Sequence, residues 1–352
     1  MSLGCPYGSH RVVEPKGVLP QPAWRLDNDF SKLFDNEILL EVEVLNIDSA
    51  SFTQMKEQAG GDADGIKQII LQTVADRGKQ HNPVTGSGGM LTGKVKAIGS
   101  ALRGDGPLSP AIDLKVGDRI ATLVSLSLTP LRIDKILAVH TEVDQVEVQG
   151  EAVLFASGIY AKIPEDIPQK LALAVLDVAG APAQTAKIVK PGDTVVVIGG
   201  GGKSGLLSLH EACKRAGVTG KVIGVSHSAA GVERMKASGL PVLPLQGDAR
   251  DALWLMREVE RLTGGAMADI TLNMVNIAQT EMGSILATKD GGTVYFFSMA
   301  TSFTAAALGA EGVGKDVTML VGNGYTHGHA QIALQIMREN PRLRELYEHI
   351  YG

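Results

Sequence analysis

Only two cysteines, Cys5 and Cys213, occur among the 352 residues. Two thiols exclude a four-cysteine zinc site and a disulfide framework, and the reading they favour is a reducing, cytoplasmic compartment. No secretory leader is read at the start, and Met1 to Leu3 are given no functional weight. Aromatic residues make up 4% of the chain, and no apolar run approaches the length that spans a bilayer, so no membrane partner is expected. Positive charge is not in excess either. Lys and Arg number 33 against 38 Asp and Glu, a net charge of -5, which leaves out the basic footprint of a nucleic-acid binder. Repeats and low-complexity tracts are absent. The partner these absences leave is a small molecule.

What the chain has in quantity is glycine, 42 residues, with 44% hydrophobic content. The pattern is that of a tightly turned α/β enzyme, and the length is enough for two domains with separate cores. The most telling stretch is DTVVVIGGGGKSG at 193–205. Residues 194–198 form a short β-branched run of the kind buried on both faces of a parallel sheet. Gly200, Gly202 and Gly205 then fit G-x-G-x-x-G, while Gly199 and Gly201 allow a shift of one residue. Missing side chains there permit a tight turn, close approach to a pyrophosphate, and close helix-to-strand packing. A helix is expected over 204–216, with Gly217 as its left-handed cap and its first amides, with Lys203 and Ser204, facing phosphate. A P-loop is excluded by spacing, because Val197 holds the place of that motif's first glycine.

Further strands are read at 221–226, 241–245, 268–274, 293–298 and 317–321, with helices near 230–237, 249–262 and 277–287. Together they make the six strands of a doubly wound parallel Rossmann domain over 171–352, with helices at its C-terminal end. Residues 1–170 read differently. Segments 37–45, 93–98 and 119–124 alternate or resemble strands, and 37–45 is expected to be half exposed. This is an irregular β-rich domain, expected to carry substrate and catalytic groups, with a helical insertion near 54–80 that is either a cleft wall or a plain packing helix.

The order of a β domain followed by a Rossmann domain resembles the medium-chain dehydrogenase/reductase superfamily, whose N-terminal domain is GroES-like. LKVGDRIA at 114–121, VKPGDTVVVIGGGG at 189–202 and DGGTVYFFS at 290–298 carry that resemblance. More narrowly, YGSHRVVEPKGVLPQPA at 7–23, LNIDSASFTQ at 45–54 and VTGSGGMLTGKVKAIGSA at 84–101 are similar to the L-erythro-3,5-diaminohexanoate dehydrogenase family. The resemblance implies oxidative deamination of a small diamino acid at its 3-amino group. The products would be 5-amino-3-oxohexanoate, ammonium and reduced NAD, in lysine fermentation. Zinc-dependent members of the superfamily carry a cysteine in the segment matching 46–51 and a His-Glu pair where this chain has Gly86-Ser87-Gly88-Gly89. Neither is present, so no catalytic metal is expected. His327 and His329 are read as loop residues.

Residue chemistry leaves the choice of cofactor open. NAD enzymes usually carry an acid at the end of the second Rossmann strand, and here Ser226-His227-Ser228 stand there. Family resemblance favours NAD, and NADP stays open, with His227 and Arg234 near the place a 2'-phosphate would occupy. Without zinc, a side chain must take the proton from the substrate ammonium before hydride leaves. In the segments matching the family the candidates are Asp48, Glu14 and His81, with Asp48 first. Its plain alternative is a helix or turn cap. Lys16, Arg11 and Lys94 are candidates for the substrate carboxylate, Glu14 or Asp48 for the remote ammonium, and Ser49, Ser51 and Ser87 for orienting amine or water. Two other readings stay in play: a zinc-free NADPH quinone or enoyl reductase, and a nucleotide sensor without turnover. The resemblance also implies a homodimer or higher homo-oligomer pairing through the strand at 293–298, with a buried interior strand as the competing account.

Overall fold

A computed structural model of the chain describes residues 3–82, 86, 88–104, 112–298, 300–322 and 324–351, without the side chains of Ser49 and Ala50. It divides into two compact units, Met1–Gln169 and Lys170–Gly352.

The first unit runs β1 (Val12–Glu14), β2 (Arg25–Leu26), β3 (Glu37–Asn46), α1 (Ser49–Gln58), α2 (Ala63–Arg77), β4 (Met90–Ile98), β5 (Arg119–Thr122), β6 (Leu131–His140), β7 (Gln145–Phe155) and β8 (Tyr160–Lys162). Six of these strands form one antiparallel sheet in the order β6-β7-β3-β4-β5-β8. The central strand β3 is not half exposed as its alternation suggests. Its first four residues are all buried because each face is covered. Ile38 and Leu40 join the main core, whereas Leu39 packs with Phe30, Val153 and Phe155 in a second cluster. Burial of such side chains contributes about 1.5–3 kcal/mol each.

The insertion resolves into two helices. Asp48 caps α1, and Asp62 caps α2 by accepting from the Gly65 amide at 2.8 Å. Ile66, Ile70 and Val74, spaced one helical turn apart, anchor α2 in the main core, and Gly78 ends it with φ +66°.

The second unit continues with α3 (Gln169–Leu176), α4 (Gly180–Ile188), β9 (Thr194–Ile198), α5 (Lys203–Ala216), β10 (Lys221–Ser226), α6 (Ala229–Ala237), β11 (Leu243–Gln246) and α7 (Ala252–Thr263). Then come β12 (Ala268–Asn273), α8 (Glu281–Ala287), β13 (Thr288–Phe296), α9 (Phe303–Val313), β14 (Thr318–Val321), α10 (His329–Glu339) and α11 (Pro341–Tyr351). Its six strands are all parallel in the order β11-β10-β9-β12-β13-β14, the 3-2-1-4-5-6 order of the doubly wound fold. Four successive residues of β9, Val195 to Ile198, are at most 1% exposed, as a strand covered on both faces requires.

Three expectations are corrected here. Gly217 has φ +65° with ψ -167°, outside the left-handed helical region, and the chain passes into a short 3-10 turn. Helix α8 starts at Glu281 rather than at 277, because Gln279 has φ +71° and Thr280 receives a hydrogen bond from Asn273 instead of continuing a helix. The strand over 293–298 is interior, paired with β12 on one side and β14 on the other, so it offers no edge to a second subunit. The last strand of the sheet is β14.

Candidate functional site

In the second unit the glycines form a cradle of bare backbone. The amides of Gly199 and Gly200 both donate to the Val225 carbonyl at 2.9 Å, and the Gly202 amide donates to the Gly199 carbonyl at 2.9 Å. Gly199 has φ +83°. A Cβ on Gly205 would lie 2.0 Å from the Gly199 oxygen, and one on Gly201 would lie 2.4 Å from the Gly231 Cα, so α5 and α6 close on the turn only because these residues lack side chains. Helix α5 begins with Gly202 as its cap and no side chain bonds its first amides, which leaves those of Lys203, Ser204 and Gly205 for an anion. The Lys203 amine pairs with Asp177 at 2.5 Å. This cradle fits a nucleotide pyrophosphate.

At the strand ends beside it a cavity of about 110 Å³ is lined by Ile198, Val225, His227, Asp248 and Arg250. Ser226 is buried and donates to the Ser228 carbonyl at 3.3 Å, while Ser228 caps α6 by accepting from the Gly231 amide at 3.1 Å. Both hydroxyls are thus engaged locally, and His227 is exposed. The second strand ends without an acid, and one stands just after the third. Asp248 lines the cavity, its carboxyl held down at about 2 by hydrogen bonds from the Arg250 side chain and amide, with His227 adding to the effect. The Arg250 fork closes on it at 2.6–3.0 Å. Neither residue was marked in the sequence, because the usual signal is sought on the second strand.

In the first unit, α1, α2 and the residues just after them line a cavity of about 520 Å³. Asp48 accepts from the Ser51 amide at 3.0 Å and from the Ser51 hydroxyl at 2.5 Å. Asn82 donates from its amide nitrogen to the Ser51 hydroxyl at 3.1 Å and to the Gln54 carbonyl oxygen at 2.9 Å. Ser51, Gln54 and Asn82 line the cavity, so the Asp48 network reaches it. His81 lines it too, with Nδ1 2.7 Å from Arg77 Nη1. Arginine only donates, so Nδ1 is the bare acceptor and Nε2 carries the hydrogen. Burial first, then the charges of Lys79 and Arg77, pull the His81 pKa down to about 4, so the ring is neutral at pH 7.

The remaining sequence-marked residues are distributed elsewhere. Arg11 is buried, and its fork closes on Glu37 at 2.8 and 2.7 Å while also donating to the Asp29 and Lys32 carbonyls. A guanidinium so committed has no face for a substrate carboxylate, and the carboxylate-binding expectation for Arg11 is corrected. Glu14 and Lys16 are exposed at the end of β1 and just beyond it, and Lys94 is exposed on β4, 3.5 Å from Glu43. None of the three lines the cavity. The Ser49 side chain and Ser87 lie outside the described residues. At the glycine run, a Cβ on Gly88 would lie 2.7 Å from the Gln80 oxygen and one on Gly89 2.0 Å from the Asn46 oxygen, so the packing rejects side chains there. Of the two histidines read as loop residues, His327 is exposed, and His329 is buried as the first residue of α10. Among the described residues, no helix is long and apolar enough to cross a membrane.

The fold is shared with known oxidoreductases. A mycobacterial quinone oxidoreductase superposes with a TM-score of 0.52 at 20% identity, covering 90% of this chain and 80% of that one. The CurK enoyl reductase superposes with a TM-score of 0.53 at 16% identity, covering 90% and 81%. An antiparallel β unit followed by a six-stranded parallel sheet is therefore a fold this chain shares with these reductases. A family model described as the L-erythro-3,5-diaminohexanoate dehydrogenase N-terminal domain matches residues 10–164. A curated L-erythro-3,5-diaminohexanoate dehydrogenase from Acetoanaerobium sticklandii is 55% identical over 348 residues, 99% of each chain. Another from Fusobacterium nucleatum subsp. nucleatum is 54% identical over 351 residues, 100% of each. This chain belongs to the L-erythro-3,5-diaminohexanoate dehydrogenase family, and it is a dehydrogenase.

Proposed function

We propose that the protein oxidatively deaminates L-erythro-3,5-diaminohexanoate to 5-amino-3-oxohexanoate and ammonium, as a step of lysine fermentation, with NAD as electron acceptor. The observation that carries this reading is full-length identity of 54–55% to enzymes so named. The glycine cradle supports a dinucleotide, whose nicotinamide supplies the hydride acceptor when bound. Asp248 supports NAD over NADP, since a carboxylate held ionised and already closed on Arg250 repels a 2'-phosphate and leaves that arginine no free fork to bind one.

Hydride leaves C3 only when the amine is neutral, so the ammonium must first lose a proton. Asp48 serves as the base through the Ser51 hydroxyl, taking the proton as Ser51 passes its own across the 2.5 Å hydrogen bond. Asp48 then sheds that proton to solvent, the one proton the reaction releases. The iminium adds water, whose proton passes through Ser51 to Asp48 and on to the amine nitrogen, and the carbinolamine expels ammonia, which takes up the hydroxyl proton and leaves as ammonium. Asn82 holds Ser51 in register. His81, neutral and weakly basic, orients its neighbours rather than accepting the proton.

The unpaired thiols Cys5 and Cys213 support a cytoplasmic setting. A homo-oligomer would use β14, the last strand of its sheet, where Val321 is 62% exposed.

The test is direct. Purified protein mixed with L-erythro-3,5-diaminohexanoate and NAD should form NADH and release one ammonium per turnover. No turnover with NAD or NADP overturns the reading. Consumption of NADPH with quinones or enoyl substrates points instead to the reductase alternative.

A further inference from the structure

The cavity between α1 and α2 contains a cation that the proposed reaction has not used. Arg77 closes α2, is half-buried, and lines the cavity beside His81 and Asn82. Its guanidinium carbon sits 4.0 Å from the centre of the Trp24 ring, and one nitrogen is bonded to His81. Stack and hydrogen bond together fix a side chain that otherwise has many rotamers. Among the described residues no carboxylate lies within ion-pair distance of it. The neighbouring Lys79 is buried and spent on the carbonyls of Pro20 and Gln21 at 2.8 and 3.0 Å, so it adds positive charge without competing as a ligand. The fork has five N–H donors and His81 takes one, which leaves enough to meet a carboxylate at two points. Asp76 lines the same cavity, so a cation and an anion are displayed together, the complement of a zwitterion rather than of a plain anion.

Resting on the family reading of the substrate, we infer that Arg77, braced by Trp24 and His81, binds the carboxylate of the diamino acid in the α1/α2 cavity. The sequence marked Arg11, Lys16 and Lys94 for that role, and none of them lines this cavity. Arg77 thereby sets which end of the substrate enters first, and so which of its two amines is oxidised.

Steady-state kinetics of Arg77→Gln and Arg77→Lys test this, with 2,4-diaminopentane as a substrate lacking only the carboxylate. Arg77→Gln should raise KM for 3,5-diaminohexanoate at least 30-fold with kcat within about threefold, the pattern of lost uniform binding. Arg77→Lys should fall between. The kcat/KM for 2,4-diaminopentane should change far less in both variants than that for the diamino acid. On wild-type protein, the diamino acid should protect Arg77 from phenylglyoxal, read by peptide mapping, and 2,4-diaminopentane should not. This second measurement stands even if a variant fails to fold. An unchanged KM in Arg77→Gln, or labelling indifferent to the diamino acid, overturns the assignment. If wild type does not oxidise the diamino acid, the family reading fails, and protection by 3-aminobutanoate alone then decides whether Arg77 is a carboxylate site.

Discussion

The carboxylate of Asp48 and the hydroxyl of Ser51 lie 2.5 Å apart at the first turn of α1, and the same carboxylate caps that turn through the Ser51 amide. Capping and the proposed proton transfer would therefore meet in one residue, and Asp48→Asn separates them. Asparagine caps a helix as well as aspartate but takes no proton, so stability should stay within about 0.5 kcal/mol while kcat falls ~10²–10⁴-fold. Thermal melting and turnover on the same sample check this. Equal activity in the variant would leave Asp48 a cap only.

Gly205→Ala should abolish dinucleotide binding. Its Cβ would lie 2.0 Å from the Gly199 oxygen, a contact that backbone alone must relieve by moving α5 off the turn. Fluorescence titration with NADH and NADPH should show both dissociation constants rising at least ~100-fold, a loss of about 2.7 kcal/mol.

Asp248→Asn should shift cofactor preference. It removes a carboxylate held at about 2 and frees the Arg250 fork for a phosphate. The ratio of kcat/KM for NADP to that for NAD should rise at least ~10-fold, about 1.4 kcal/mol of discrimination. An unchanged ratio would remove Asp248 from cofactor choice.

Glu37 makes acid stability predictable. Burial alone would raise its pKa, but hydrogen bonds from Arg11, His10 and the Phe34 amide outweigh burial and hold it at about 2 against an ordinary 4.5. A carboxyl with a depressed folded pKa stabilises at neutral pH, and that contribution, about 3 kcal/mol, is lost as pH falls from 4.5 towards 2. Glu37→Gln leaves the buried Arg11 charge with only the more distant Asp27 carboxylate, 3.4 Å away, against it. It should cost about 3–5 kcal/mol at pH 7, read by chemical denaturation, with most of the difference from wild type gone near pH 2.

What the sequence discloses depends on how far apart the interacting residues lie. Strand β9, its glycines and α5 are consecutive, so their order alone reveals the strand–turn–helix unit. Arg11 looks like a ligand because its partner Glu37 is 26 positions away, and nothing local announces the closed fork. Arg77 is passed over for the same reason, since the Trp24 ring that braces it comes from β2's approach. The four-residue spacing of Arg77 and His81 across a helix end was the one local sign. Strand β13 reads equally well as edge or interior, because only the pairing of β14 decides between them. Asp48 is ambiguous in sequence for a physical reason, as one carboxylate geometry satisfies both a helix cap and a serine hydroxyl.

The last helix has a bearing on affinity that its distance in sequence conceals. Tyr347 of α11 is fully buried and donates its hydroxyl to the Lys203 carbonyl, just after the glycine turn and 144 positions earlier. Tyr351 places its ring 5.7 Å from the Lys203 amine. Helix α11 thus braces the first turn of α5, where the proposed phosphate site lies. A truncation at that helix would therefore remove the buried Leu343 and Tyr347 together with the brace on α5, so cofactor affinity and stability should fall together.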